Sequence, residues 1–264
     1  LHVADHTAVK AIHSNDGSSQ LYKIETSRGT ISAKHVIHCT NAHVSHLVPG
    51  LRGRIFPVRG QMSAQTPGDN FPLQATKHSW LFNYDRGFDY LTQLPSGQMM
   101  FGGGFASGEG GGVADLGISK DNDMSVYLDI HLSGALSAVF GHESWGPVQG
   151  DPIQAMWTGN MAFSTDGFPW VGRLPSSATG RPEPGSGEAG SEWVCAAFGG
   201  EGMVQAWLCG KALGRMILKR DDQLVSTADS DLDWFPHQLL VSEKRIAEAE
   251  MPRTMSDTRR QSNL

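Results

Sequence analysis

The sequence predicts a mixed α/β chain, α+β overall, in which a mostly antiparallel middle segment interrupts a part built from buried strands and a helix. Three observations predict it. "EWVCAAF" (192–198) is a short apolar run that passes through "GGEG" into the helical run "MVQAWLCGKALGRMILKR", as expected for a buried strand feeding a helix. "HVIHCT" (35–40) is a second run without clean alternation. Between them, "SWLFNYDRGFDYLTQLPSGQMMFGGGF" (79–105) is broken at Asp85-Arg86-Gly87 and Pro95-Ser96-Gly97, the turn chemistry of antiparallel strands.

The elements follow in order. Residues 1–34 read as short strands separated at Asn15-Asp16-Gly17 and Ser27-Arg28-Gly29. After "HVIHCT", residues 41–48 form a short helix or turn closed by Pro49-Gly50. "RGRIFPVRGQMSAQT" (52–66) is extended and interrupted at Pro57, which cannot donate to a ladder. A glycine-rich loop, Gly108 to Gly112, precedes a one-sided helix over 122–140 carrying Met124, Leu128, Leu132, Leu136 and Val139. "QAMWTGNMAF" (154–163) returns to strand. Residues 176–190 hold almost nothing to bury and are expected as an exposed, mobile insertion. The last helix repeats apolar residues at Met203, Trp207, Leu208, Leu213 and Met216. The tail, 221–264, has one amphipathic piece at 237–250 and a loose polar end.

Composition excludes several classes. The chain has 264 residues, 39% hydrophobic and 18% charged, a globular rather than disordered balance. A net charge of -6, with no basic cluster interleaved with aromatics, argues against a nucleic-acid surface. No apolar run reaches the roughly 18 residues of a membrane span. Cys39, Cys195 and Cys209 are an odd number without a CxxC pair, fitting a reducing compartment. The expectation is an intracellular, cytoplasmic protein, with peroxisome or mitochondrion as alternatives. Excess glycine, 32 residues, points to tight turns or close backbone approaches.

Two junctions and one loop carry chemistry. In "CAAFGGEGM", Gly199, Gly200 and Gly202 lie where a buried strand becomes a helix. That is either an anion site at unpaired helix amides or a turn that needs small residues. "VIHCTNAH" ends a strand in Thr40, Asn41 and Ala42. Ligands sit at such strand ends in open α/β sheets, but a helix cap at Thr40 or Asn41 explains them more simply. "WTGNMAFSTDGFPWVGRLP" (157–175) sets a lone acid, Asp166, between a strand-like run and a Gly-Pro turn. That is either a surface loop or a segment close to a ligand. No metal site is expected: the eleven histidines form no HExxH or paired Cys/His cluster. No GxSxG elbow supports a hydrolase, and the three cysteines sit in apolar contexts that suit packing.

In order, "SRGTISAKHVIHCTNAHVSHLVPGL", "IFPVRGQM", "FDYLTQLPSGQMMFGGG", "WTGNMAFSTDGFPWVG" and "WVCAAFGGEGMVQAWLCGKALGRMI" resemble the later part of the FAD-dependent D-amino-acid oxidase and sarcosine oxidase-like (DAO) family. The resemblance implies a partial Rossmann-like FAD-binding domain from 1–50 and 150–220, with an antiparallel substrate domain at 51–149 inserted. It places Thr40, Asn41, Ala42, Gly159, Asp166, Gly167, Gly199, Gly200, Glu201, Gly202 and Met203 beside a non-covalent FAD. Asp166 and Gly167 would form the turn back to the FAD domain, Asp166 as an anchor rather than an acid catalyst. Arg59, Gln61, Trp157 and Met161 fall on the substrate side. The implied reaction is hydride transfer to flavin from a C–N bond of a small amine or amino-acid-like substrate.

Four departures stand out. Members that use amino acids carry an Arg where this chain has Met161, so the usual carboxylate clamp is missing. The sarcosine-oxidase type carries a Lys where this chain has Met100, and no cysteine for a covalent flavin lies near Gly159. The dinucleotide fingerprint, GxGxxG opening a helix with an acid about 20 residues on, is absent. That leaves a second reading, a non-catalytic truncated remnant or binding module. It also predicts an unpaired sheet edge in the FAD-binding part. About 1 mM FAD should then raise the melting temperature by less than about 5 °C.

Overall fold

The structure, a computed structural model, describes residues 1–14, 21–75, 77–85, 87–182, 190–220 and 232–250. The turn expected at Asn15-Asp16-Gly17, and Arg86 of the second turn, lie outside them. The chain divides into two compact units, 1–56 with 162–264, and 57–161. The divisions fall inside two long strands, so the residues of 150–161, Gly159 among them, belong to the central unit.

In the first unit, β1 (Val9–His13), β2 (Tyr22–Thr26) and β3 (Gly29–Ala33) form an antiparallel meander with Ile12, Tyr22 and Ile24 buried on one face. β4 (Val36–His38) leads into a short helical turn, Asn41–His43, then α1 (Val44–Leu47) and a turn at Pro49–Leu51.

The central unit contains β5 (Ile55–Gln65), β6 (Ser79–Tyr84), β7 (Gly87–Gln93), β8 (Met99–Gly103), α2 (Val126–Phe140), α3 (His142–Trp145) and β9 (Ile153–Ser164). Its sheet has the order β6-β7-β8-β5-β9. Strand β5 runs through Pro57 without the expected break. Its pairing with β8 begins only at Met62, so the missing N–H at Pro57 costs no bond of that ladder. Helix α2 starts at Val126, later than its apolar spacing suggested. Leu128, Leu132 and Leu136 are buried, whereas Met124 precedes the helix and Met124 and Val139 are both exposed.

The chain returns to the first unit with β10 (Trp170–Arg173), α4 (Ser176–Thr179), β11 (Glu192–Ala196), α5 (Gly202–Arg220) and α6 (Glu243–Glu248). β11 pairs antiparallel with β10 and parallel with β4, Trp193 opposite Ile37. Alternate residues of this sheet feed two cores. Trp170, Val194 and Ala196 pack with Val44, Leu51 and Ile55; Val171, Trp193 and Cys195 pack under Cys209, Ala212 and Leu213 of α5. β4 is an edge strand of that sheet.

Two expectations are corrected here, for residues 176–190 and for the apolar face of α5. The segment expected as an exposed insertion is partly built in: α4 buries Ala178 and Thr179, and a Cβ on Gly50 would meet Ala178 Cα at 2.5 Å. Residues 183–189 lie outside the described residues. The tail is docked over 232–250, with Phe235, Ile246 and Ala249 buried; 221–231 and 251–264 lie outside the described residues. In α5, Met203, Trp207 and Leu208 are exposed, because the helix rolls its Cys209, Ala212 and Leu213 side onto the sheet.

Gly190 sits where the chain enters β11. A Cβ there would lie 1.6 Å from the carbonyl oxygen of Lys34, beside the Val36 N–H that donates to Ser191 O at 3.1 Å. Backbone cannot yield as a side chain can. Gly190→Ala is expected to cost about 1–3 kcal/mol, read as a lower urea midpoint at unchanged slope.

Candidate functional site

The first unit brings the two strand ends picked out in the sequence together. Asn41, at φ +44, and Ala197, at φ +67, are left-handed non-glycine residues, and Gly199 follows at φ +56. For Ala197 that conformation costs about 1–2 kcal/mol, and such strain concentrates at functional sites. The Ala197 N–H donates to Asn41 Oδ1 at 2.9 Å. Asn41 therefore does not act as the side-chain cap expected of it, and neither does Thr40, whose carbonyl only accepts from His43 N. Ala42 is buried below.

From this junction the chain turns into α5. Gly199 N donates to Ala162 O at 2.8 Å and Glu201 N to Phe198 O at 2.9 Å. Among the described residues, the amides of Gly200, Gly202 and Met203 find no protein acceptor. An added Cβ on Gly200 would meet nothing within 4 Å. A 19-residue helix thus presents free N–H groups and its positive dipole end at an open backbone, an arrangement that favours negative charge. A literal Gly-x-Gly-x-x-Gly string at 185–190 runs into β11, not a helix.

Asp166 is committed to protein donors. Its Oδ1 accepts from Phe168 N at 3.2 Å, Trp170 Nε1 at 3.3 Å and Arg245 Nη2 at 3.1 Å; its Oδ2 accepts from Arg245 Nε at 2.8 Å. Burial pushes this carboxyl up, but the bonds and charge of Arg245, helped by Ser164 and Phe168, outweigh it and hold it below the ordinary range. Gly167, at φ +75, makes the turn. Asp166 is the anchor of a loop onto α6. The partner was invisible in the sequence because Arg245 lies 79 residues away, in the amphipathic piece at 237–250.

The central sheet has one covered and one open face. Gln61, Ser63 and Gln65 point to the side covered by α2, where Gln65 Nε2 donates to Leu132 O at 2.8 Å. Gln61 is buried and its Oε1 accepts from the Thr158 hydroxyl at 2.7 Å. Arg59 pairs with buried Asp115 at 2.6 Å. These two substrate-side candidates are thereby turned from the open face. Trp157, Gly159 and Met161 lie on it, with Gly60, Met62, Tyr90, Leu81 and Phe88. A Cβ on Gly60 would touch Met161 Cε at 2.8 Å, and one on Gly102 would touch Met62 Sδ at 2.1 Å. Leu81, Phe88, Tyr90 and Trp157 are each more than a third exposed. Strand alternation held the signal for this face, but only pairing register shows which residues share it.

Cys39 is exposed while Cys195 and Cys209 are buried, so the expected packing holds for two of three. Burial, with the neighbouring Cys39 and Cys209, pushes the Cys195 thiol up to about 12, which suits an inert residue. No helix among the described residues is long and apolar enough to cross a membrane.

The profile of the FAD dependent oxidoreductase family, DAO, matches residues 1–216. The chain belongs to this family. No curated protein matches it. Solved structures of this Rossmann-like flavoenzyme fold do. Glycine oxidase from Geobacillus kaustophilus is 16% identical with a TM-score of 0.56, covering 87% of this chain and 52% of its own. L-proline dehydrogenase from P. horikoshii is 17% identical with a TM-score of 0.58, covering 94% and 55%. Fructosyl amine:oxygen oxidoreductase (Amadoriase I) from Aspergillus fumigatus is 11% identical with a TM-score of 0.53, covering 81% and 46%. The DAO chain described here spans about half the length of these structures.

Proposed function

We propose that these residues form part of an FAD-dependent oxidoreductase that oxidises a C–N bond of a small amine, with FAD held non-covalently. The observation that carries the reading is the free-amide turn at Gly200, Gly202 and Met203, set within a DAO family match over residues 1–216. The first unit is the FAD-binding part and the central unit the substrate part. FAD, when bound, would supply the two-electron acceptor for this oxidation, in which the carbon that carries the nitrogen loses a hydride and the nitrogen loses its proton to give the imine. The amides at the start of α5 would stabilise the negative charge this leaves on the ring system. Thr40 and Ala42 of the first unit would line the flavin, Asn41 would set the turn beside it, and Gly200, without a Cβ contact, would let it approach. Asp166 and Gly167 would serve this site only by shaping their turn. Trp157 and Met161 would meet the substrate.

The substrate class follows from the open face. Met62, Leu81, Phe88, Tyr90, Trp157 and Met161 offer apolar and aromatic surface, while Arg59, the only cation of β5, is neutralised by Asp115 on the other face. That favours a hydrophobic or secondary amine over a free α-amino acid, whose carboxylate would lack a partner. The solved relatives named for glycine, L-proline and fructosyl amine supply the test panel.

The complete gene product is expected to purify with flavin absorbance near about 450 nm and to bleach without oxygen when a suitable amine is added. Glycine should bleach it more slowly than an N-alkylated or fructosyl amine. A colourless protein that takes up no FAD would overturn the reading and leave a non-catalytic binding module.

A further inference from the structure

We infer that Asn41 is a positioning residue that presets the β11–α5 turn, and that it acts through Ala197 rather than by touching a ligand itself. The inference rests on the flavin reading only for what the turn meets. Its geometry stands apart from that reading.

Asn41 and Ala197 are 156 residues apart, and a single side-chain-to-backbone bond of 2.9 Å joins them. Both ends are left-handed, at φ +44 and +67. Asparagine tolerates that region because its short polar side chain bonds locally, whereas alanine has no such compensation. Ala197 is also buried, so without the Asn41 side chain its N–H would lose the one protein acceptor it has.

The turn downstream depends on that conformation. Ala197 sets the direction in which Phe198 and Gly199 leave β11, and Gly199 N then reaches Ala162 O at 2.8 Å. Only with these two amides committed do Gly200, Gly202 and Met203 face outward as a group. Glycine at 41 would accept the backbone but could not bond Ala197. Asn41 therefore couples the end of β4 to the start of α5, a link that neither backbone makes by itself.

Amide hydrogen exchange on the 264-residue chain tests this, with Gly199 N–H as reporter. Asn41→Gly relieves the strain at 41 and should fold. It is expected to speed exchange at Gly199 by about three- to tenfold, with the β10–β11 ladder amides unchanged. Asn41→Asp, which keeps an acceptor, should restore wild-type exchange. Asn41→Gly with Ala197→Gly should also restore it, since glycine adopts φ +67 without help. Unchanged exchange at Gly199 in Asn41→Gly would overturn the inference, as would acceleration that neither partner variant reverses. Equal acceleration through the β10–β11 ladder would reduce Asn41 to general stability and would also overturn it. FAD added to the complete gene product separates the two claims. Slowed exchange at Gly200, Gly202 and Met203 supports the flavin reading. If FAD has no effect there while Asn41→Gly still frees Gly199, the flavin reading fails and the positioning role stands.

Discussion

Glu192→Ala is expected to lower the melting temperature by roughly 6–20 °C, the loss of about 3–5 kcal/mol that follows breaking a buried ion pair. Glu192 opens β11 and is fully buried with His38. Its Oε2 contacts His38 Nε2 at 2.7 Å, and Arg181 grips both oxygens, from Nε at 2.7 Å and Nη2 at 2.6 Å. Arg181 Nη2 also donates to Leu47 O at 3.0 Å. The network therefore joins β4, β11, α1 and the segment after α4. Alanine would leave a largely buried guanidinium and imidazole without their acceptor, which costs more than the carboxylate's own contribution. Arg181→Ala with Glu192→Ala should cost less than the sum of the two single changes.

The sign with pH follows. Burial pushes the Glu192 carboxyl up, but Arg181 and His38 outweigh it, so its folded value lies below the ordinary one. A depressed carboxylate contributes stability that is present above the unfolded value of about 4.3 and fades as pH falls through the folded value. Wild type should lose urea stability faster than Glu192→Gln between about pH 5 and 3. A Glu192→Gln protein with the same acid slope as wild type would defeat this account.

Arg245→Ala should lower the melting temperature by roughly 4–16 °C, or about 2–4 kcal/mol. The guanidinium is bidentate on Asp166, donates to Phe168 O at 3.2 Å and Pro169 O at 3.1 Å, and stacks 4.4 Å from the centre of the Trp170 ring. Losing it strands a half-buried carboxylate and frees the turn that leads into β10. It also loosens α6, which is capped by Ser242 and adds Ile246 to the core. Arg245→Lys should recover little, because an ammonium can neither fork onto both oxygens nor stack as a plane. Differential scanning fluorimetry of the three proteins decides it. An Arg245→Lys variant as stable as wild type would show that charge alone suffices.

How much was legible depended on the range of the interaction. The hairpin turns at Asp85 and Pro95, the buried character of "EWVCAAF" and the strand-to-helix junction at Gly199 all came from local chemistry, and the structure has them. Pro57 misled because a proline breaks a strand only where its N–H is needed, and that depends on where β8 begins to pair. The segment 176–182 misled for a related reason. Its small, polar residues look unburied, yet Ala178 fits against Gly50, and Arg181 finds a carboxylate eleven residues away.

The sequence by itself determined the order of elements, the family and the glycine-rich turn, because each is written in contiguous residues and their spacing. Tertiary structure alone decided that Asn41 bonds Ala197, that Asp166 belongs to Arg245, and that Gln61 turns away from Trp157 and Met161. Those outcomes follow from pairing register and from contacts between residues tens to over a hundred positions apart. A periodic pattern says which side of a strand is apolar. It does not say which distant donor will satisfy a polar group that folding buries, and that requirement is met only when the strands and helices have come together.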